Sequence, residues 1–312
     1  MKLHALTFSN LKNPDAASYA NMQLLTEAAR VRGHELVAIK ANQCQLKFGK
    51  TMGALIDHKS PKNIKILIVL ASFLGDVDVH GTLIRQFELM GIPVINRHSA
   101  IVKAKNKILM LQTLHKNNIP MPKTYIVRSA EYFEEMVQDI GSYPVILKTI
   151  NGSNGVGVSI VESQRGLRSI LDLLTEHPDS LPITIQEYVR ESKGKDVRVF
   201  VVGTKIVGAM ERIANKRGEF RSNFSLGGRV RITELSKKEQ ELAIKATEVF
   251  GLDFAGVDIL RTRSGPKIIE INSNPGLSGI TQATGRDIAG EIIEYAIRKV
   301  RKKNSTKQIR IR

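Results

Sequence analysis

Three oxygen-bearing side chains stand near the ends of two apolar runs. Asp258 sits in Val257-Asp258-Ile259-Leu260, and Glu270 and Asn272 sit in Ile268-Ile269-Glu270-Ile271-Asn272. Two carboxylates and an amide, with no His or Cys mixed in, suit a hard cation such as Mg²⁺, which keeps several waters and shares its shell with substrate phosphates. Glu270 and Asn272 are two apart on a predicted strand, so they point to one face while Ile269 and Ile271 point to the other. A magnesium clamp assembled from two strands points to a user of ATP.

Cations and polar groups lie upstream. The run 145–150 carries Lys148 and leads into Asn151-Gly152-Ser153-Asn154-Gly155-Val156-Gly157. Rossmann and P-loop glycine motifs open helices, and the chain has no G-x-x-x-x-G-K-[ST] string, so this loop fits neither. Between two strands it is either a plain flexible turn or a cover whose backbone N–H groups, around Gly152, Ser153, Gly155 and Gly157, fold over phosphates. Lys148 beside it either snorkels to solvent or meets a phosphate as a point charge. Lys107, on a predicted helix, is placed to reach a phosphate or to join a solvated face.

Gln186-Glu187-Tyr188-Val189 ends a strand and is followed by Asp196-Val197-Arg198. Extended backbone offers the in-plane donors and acceptors that a nucleotide base needs, and an acid nearby can take ribose hydroxyls. Arg198, Arg212 and Arg221, the last followed by Ser222 and Asn223, could hold a transferring phosphoryl group and a carboxylate, which planar guanidinium forks suit. Singly, each reads as a surface ion pair. The seven histidines form no i,i+4 pair, and no G-x-S-x-G string occurs, which argues against zinc and acyl-enzyme chemistry.

The elements that must position these groups alternate at first. Strands are predicted over 3–9, 36–39, 64–71 and 93–96, with helices over 16–32 and 81–90, each closed by a glycine. That order predicts a small parallel α/β unit over residues 1–96. One helix is predicted from Ser99 to about residue 117, carrying Lys103, Lys105 and Lys107; Pro120 and Pro122 end it. Beyond, the pattern turns to strand–loop–strand. Strands are predicted over 124–127, 145–150, 158–161, 183–189, 197–202, 205–210, 253–260 and 266–272, with Gly203-Thr204 as a hairpin turn. Helices fall over 165–175, 236–250 and 285–302, another opens near Ser129, and 216–231 reads as a loop over the site. We divide the rest of the chain into 97–182 with the glycine-rich loop, 183–300 with the metal set, and a basic tail over 301–312.

Composition bounds the class. The 312 residues, 42% hydrophobic and 25% charged, suit a soluble globular protein of two or more units. Cys44 is the only cysteine, so no internal disulfide forms. The first residues lack a signal-peptide run and no segment reaches membrane-span length, which fits a cytoplasmic enzyme. The net charge is +17, and residues 298–312 hold eight Lys or Arg and no acid, leaving about +9 on the rest. Such a body favours an acidic substrate, a nucleotide or a nucleic-acid-rich assembly such as a ribosome.

The strand–Lys–glycine loop, the Gln-Glu-Tyr-Val hinge, Asp-x-Arg, Arg-Ser-Asn and the Asp…Glu-x-Asn set occur in one order. The series resembles the ATP-grasp superfamily and, within it, the RimK-like ribosomal-protein glutamate ligases, over about residues 80–297. The resemblance implies an α/β (α+β) ATP-grasp fold preceded by a Rossmann-like parallel α/β domain. It implies that Lys107, Lys148 and the 151–157 loop contact ATP phosphates, with Arg221, Ser222 and Asn223 close by. Glu187, Tyr188 and Val189 would take the adenine and Asp196 the ribose. Asp258, Glu270 and Asn272 would hold two Mg²⁺ ions, with Mn²⁺ able to substitute, and Arg198, Arg212 and Arg221 would stabilise charge on an acyl-phosphate route. The implied reaction adds glutamate to the acidic C-terminus of a small-subunit ribosomal protein. Relatives with the same chemistry act on a cofactor, a small peptide or an amino-group carrier protein, and a ribosome- or RNA-binding protein with a vestigial site is the reading outside this class. The family also implies a homo-oligomer, a tetramer, and no membrane. One departure is Asn106, which precedes Lys107 where the family often has an acid.

Overall fold

The first strand sorts its side chains by alternation: Leu3 and Ala5 face one apolar core and Leu6 the other. A computed structural model describes residues 1–8, 16–50, 52–61, 63–71, 77–127, 132–149, 157–175, 182–215 and 228–309. Its N-terminal part runs β1 (Lys2–Thr7), α1 (Ala16–Val31), β2 (Glu35–Lys40), β3 (Cys44–Lys47), β4 (Gly53–Ile56), β5 (Leu67–Leu70), α2 (Val77–Leu89) and β6 (Val94–Ile95). The sheet order is β2-β1-β5-β6, parallel throughout, as the alternating pattern predicts. The β3–β4 hairpin is a finding the sequence reading does not contain, because its short strands show no clear apolar alternation.

The helix predicted from Ser99 onward is two helices, α3 (His98–Lys105) and α4 (Lys107–Lys116). Asn106 breaks the run: its backbone is extended (φ −79°, ψ 110°) and its Oδ1 accepts the N–H groups of Ile108 and Leu109, both at 3.0 Å. An Asn side chain satisfies the free donors of a helix start well, so a second helix begins where the first would have continued.

A second sheet follows from β7 (Thr124–Val127), α5 (Phe133–Ile140), β8 (Val145–Thr149), β9 (Val158–Val161), α6 (Gln164–Thr175) and β10 (Ile183–Glu187). Its antiparallel order is β7-β10-β8-β9. Val145, Leu147, Ile183 and Ile185 pack on Phe133, Val137, Leu167 and Leu171 of the two helices. Lys148 falls on the opposite face by the same alternation.

The third sheet holds β11 (Lys195–Val202), β12 (Lys205–Ile213), β13 (Arg229–Ile232), β14 (Phe254–Leu260) and β15 (Lys267–Asn272), in the order β13-β12-β11-β14-β15. α7 (Lys237–Phe250) packs on the face carrying Val197, Val199, Val257 and Ile271. α8 (Leu277–Thr284) and α9 (Ile288–Ile309) follow. Three sequence expectations change here. Residues 229–231, read as the end of a loop, belong to the edge strand β13 (Arg229–Ile232). The final helix predicted from 285 begins at Ile288 after the separate α8, with Gly285 in the left-handed conformation between them. α9 also continues to Ile309, past the predicted end at 302, and its apolar side joins Leu3, Ala5 and Leu25 of the N-terminal part in one core. Among the described residues no helix is long and apolar enough to cross a membrane.

Candidate active site

The floor of the site is a buried chain of charges on the third sheet. β11 pairs with β14 so that Arg198 lies opposite Asp258, and with β12 so that Asp196 lies opposite Arg212. Arg198 donates Nε to Asp258 Oδ1 and a terminal nitrogen to Oδ2, both at 2.7 Å. Arg212 grips Asp196 with two bonds of 2.6 and 2.8 Å and donates to Asp258 Oδ2 at 2.6 Å. Burial would raise the carboxyl of Asp258, but the two guanidiniums outweigh it and hold it below its ordinary value. Burial likewise opposes the charge on Arg212, and Asp258 and Asp196 overcome it, so Arg212 is held above the ordinary guanidinium range. Two cations and two anions, each hydrogen-bonded, make a neutral interior cluster.

Glu270 stands opposite Asp258 on β15, exposed where Asp258 is buried. The β14–β15 register shifts between Asp258 and Ile259, so β15 carries an extra residue there. Ile268 and Ile271 therefore both enter the core, instead of the strict alternation of Ile269 and Ile271 that the sequence predicts. A bulge re-aims the side chains around it. Asn272 Oδ1 accepts the N–H of Asn274 at 2.9 Å.

Lysines from two other elements meet this corner. Lys148 donates to Gln186 Oε1 at 2.6 Å, and Gln186 in turn donates to Thr124 Oγ1 at 2.8 Å. Lys107, at the start of α4, donates to the carbonyl of Thr149 at 2.6 Å. Burial pulls the ammonium of Lys148 down to about 8, with Glu270 opposing and Lys107 adding to the fall. Burial also lowers Lys107 and Lys105, again with Glu270 opposing. Glu270 is thus the anion that Lys105, Lys107, Lys148 and Arg212 all feel. Lys105 is the group the sequence reading passed over. On one continuous helix Lys105 and Lys107 point in opposed directions, about 200° apart; the break at Asn106 lets both serve one corner.

The hinge is braced by its own side chain. Glu187 accepts Lys267 Nζ at 2.7 and 2.8 Å and the N–H of Lys123 at 3.0 Å, while its N–H donates to Lys123 O at 2.8 Å. The Glu187 carboxylate is therefore engaged, and Tyr188 and Val189 continue past it. Asp196 has both oxygens on Arg212, so the ribose contact implied by the resemblance would have to displace that pair. Gly152, Ser153 and Gly155 of the glycine loop, and Arg221, Ser222 and Asn223, lie outside the described residues. Gly157 is described: at φ +73°, a Cβ there would meet Thr149 Oγ1 at 2.3 Å. Gly157→Ala is accordingly expected to cost about 1–2 kcal/mol, read in a denaturant titration.

Two asparagines of the N-terminal part hold the backbone that flanks the site. Asn96 is wholly buried; its Nδ2 donates to Phe254 O and Ser273 O, both at 2.8 Å, and its Oδ1 accepts Asp253 N at 2.6 Å and Phe254 N at 3.1 Å. Asn21 donates to Pro275 O at 3.3 Å and accepts Leu277 N at 2.8 Å. The turn after Asn272 is thereby fixed from outside its own sheet.

A family model described as the RimK-like ATP-grasp domain matches residues 104–296, and one described as the RimK PreATP-grasp domain matches residues 13–101. The chain belongs to the RimK-like ATP-grasp family. It is an ATP-grasp ligase, of the class that forms carbon–nitrogen bonds. It is 36% identical over 290 residues to a protein of Vibrio vulnificus (strain YJ016) named "probable alpha-L-glutamate ligase", covering 93% of this chain and 94% of that one. Its fold is similar to the ATP-grasp ligase PsnB, solved with a phosphomimetic precursor variant, Mg and ADP: TM-score 0.71, 19% identity, 95% of this chain and 98% of that chain. It is also similar to the D-alanine–D-alanine ligase of Bacillus anthracis solved with ATP: TM-score 0.69, 18% identity, 97% and 99% covered. At such identities the two structures speak for the fold alone.

Among the described residues no three His, Cys, Asp or Glu side chains cluster as a metal site. Asp258, Glu270 and Asn272 offer oxygens only, which fits Mg²⁺ and not a thiolate- or imidazole-seeking ion. Asp258 already accepts three of roughly four possible hydrogen bonds; Glu270 is the exposed donor of the set.

Proposed function

We propose that the chain is an ATP- and Mg²⁺-dependent carboxylate–amine ligase that adds glutamate to an acidic protein C-terminus, with a small-subunit ribosomal protein as acceptor. The observation that carries this reading is the convergence of Lys107, Lys148, Arg198 and Arg212 on the carboxylates Asp258 and Glu270. Cations gathered from several elements around a carboxylate pair suit a polyphosphate held through a metal. Asp258, Glu270 and Asn272 would hold one or two Mg²⁺ ions, or Mn²⁺, which would neutralise phosphate charge. Lys107 and Lys148 contact phosphate oxygens, and the 187–189 backbone takes the adenine edge.

The chemistry needs no protein nucleophile. An oxygen of the acceptor's C-terminal carboxylate attacks the γ-phosphorus, the bond to the β-phosphate oxygen breaks, and ADP leaves. The resulting acyl phosphate has a good leaving group, which the free carboxylate lacks. The glutamate amine then attacks the carbonyl carbon, phosphate departs, and the nitrogen loses a proton. Arg198 and Arg212 supply positive charge where negative charge collects, the contribution that preorganised sites make most strongly. The net charge of +17 supports an anionic acceptor. The name borne by the Vibrio relative supports glutamate as the amine.

The test is mass spectrometry of ribosomal proteins, a cofactor set and carrier proteins after incubation with the chain, ATP, Mg²⁺ and glutamate. A ladder of glutamyl additions on a ribosomal-protein C-terminus is expected. Additions confined to a cofactor or carrier would keep the chemistry and replace the acceptor.

Lys148 gives this reading a pH signature. Its ammonium titrates near about 8, and a bound phosphate favours the charged form. ATP binding above pH 8 is therefore expected to take up close to one proton, and affinity to fall as pH rises further. Calorimetry in buffers of different ionisation enthalpy reads the uptake, which Lys148→Met should abolish.

A further inference from the structure

The two guanidiniums on Asp258 are not held alike. Arg212 is fastened at both ends, to Asp196 by two bonds and to Asp258 by a third, and its side chain is 5% exposed. Arg198 is hydrogen-bonded to Asp258 alone among the described residues, and its side chain is 12% exposed. Beside it on β14 is Gly256, which itself presents no side chain to the guanidinium; a Cβ there would lie 3.5 Å from Arg198 Nε. Moving Arg212 would break three hydrogen bonds to two buried carboxylates. Moving Arg198 leaves nothing unpaired, provided another cation takes its place.

We infer that Arg198 and a divalent cation exclude one another at Asp258, so that loading the cation frees the Arg198 guanidinium for the anionic groups of the substrates while Arg212 stays fixed. The inference rests on the reading of Asp258 as a metal ligand. Three of about four lone-pair positions of Asp258 are taken, two by Arg198 and one by Arg212. The cluster of Asp196, Arg212, Asp258 and Arg198 is neutral as it stands. A divalent ion added without displacement would crowd a third cation onto a buried carboxylate that two guanidiniums already hold, where repulsion is little screened. Exchange keeps two cations there, and it couples arrival of the metal to delivery of a guanidinium. Arg198 is then the mobile arm of the site and Arg212 a positioning residue.

The test uses the full chain without nucleotide, with Mn²⁺ as probe and free Mn²⁺ followed by electron paramagnetic resonance. Arg198→Gln removes the competitor and is expected to bind Mn²⁺ roughly tenfold tighter than the wild type, the scale of one charge-assisted hydrogen bond. Its Tm should fall without metal and recover with Mn²⁺ by more than the wild type gains. Arg212→Gln, which takes two hydrogen bonds from buried Asp196, should lose stability that Mn²⁺ does not restore. Equal or weaker Mn²⁺ affinity in a folded Arg198→Gln overturns the exchange. Should that variant not fold, Arg198→Lys, with the charge kept but the fork lost, is expected to bind Mn²⁺ several-fold tighter than wild type, and an unchanged affinity there overturns it equally. Wild-type protein that fails to bind Mn²⁺ even with ATP removes the metal site itself, and with it the reading beneath; binding with ATP but no gain in the Arg198 variants sinks the exchange alone.

Discussion

Asp258→Asn is expected to lower ADP release under saturating substrates by at least about a hundredfold and to destabilise the fold by about 3–5 kcal/mol. The substitution keeps the volume and removes one negative charge from a side chain that is 1% exposed. Arg198 and Arg212 are then left with a single carboxylate, Asp196, between them. Breaking a buried ion pair by deleting one partner costs on this scale because the other charge stays in the interior uncompensated. The activity loss is set by a different cause. Loss of an outer partner of a metal site already costs about 10–100-fold, and a direct oxygen donor should cost no less. Glu270→Gln separates the two effects. Glu270 is exposed, so its replacement should leave stability within about 0.5 kcal/mol while lowering turnover comparably. Steady-state ADP release and urea unfolding of both variants check this. An Asp258→Asn protein as stable as the wild type would mean that the cluster is not held as described.

Asn96→Leu is expected to cost about 4 kcal/mol, with turnover falling in the protein that remains folded. Leucine has the same branching and number of heavy atoms as asparagine, though more bulk, and offers no partner to Phe254 O, Ser273 O, Asp253 N and Phe254 N, all of which meet Asn96 in the interior. An unsatisfied buried polar group costs about 1–3 kcal/mol, and some of the four would relax. The functional effect follows from place. Ser273 is the next residue after Asn272, so the clamp fixes the end of the strand that carries Glu270 and Asn272. Asn21→Ala, which frees Pro275 O and Leu277 N one turn further on, should be milder, about 1–2 kcal/mol. Denaturant titration of the pair reads both. Equal effects would argue that Asn96 holds no more than an ordinary loop.

The parallel N-terminal sheet was legible because its strands are separated by helices of clear apolar period. Of the candidate site, the residue types and their order were legible, and the fold brings Lys107 and Lys148 near Glu270, which lies opposite Asp258. What was not legible is who pairs with whom. Counting back from the Gly203-Thr204 turn, a regular hairpin sets Val202 opposite Lys205 and would set Asp196 opposite Glu211. The ladder instead shifts by one between Phe200 and Val201, and Asp196 meets Arg212. One bulged residue converts a like-charge pair into the buried ion pair that anchors the floor. A second bulge, in β15, does the same for the aim of Glu270. The break at Asn106 belongs to this group as well, since a single side chain capping a new helix start overrides apolar periodicity on both sides of it. Local capping and register set the geometry of the charges, while pattern sets the elements.

The measurement that bears most directly on the central claim, activation of a carboxylate by ATP, follows oxygen. A peptide acceptor ending in two glutamates, its terminal carboxylate labelled with ¹⁸O, is incubated with the chain, ATP, Mg²⁺ and glutamate. Mass spectrometry then reads both the peptide and the inorganic phosphate. The account requires one labelled oxygen in phosphate for each peptide that gains its first glutamyl residue, and unlabelled phosphate for every later addition, which activates the carboxylate of the glutamate just added. Unlabelled phosphate with no gain in peptide mass would describe an ATP hydrolase and contradict it.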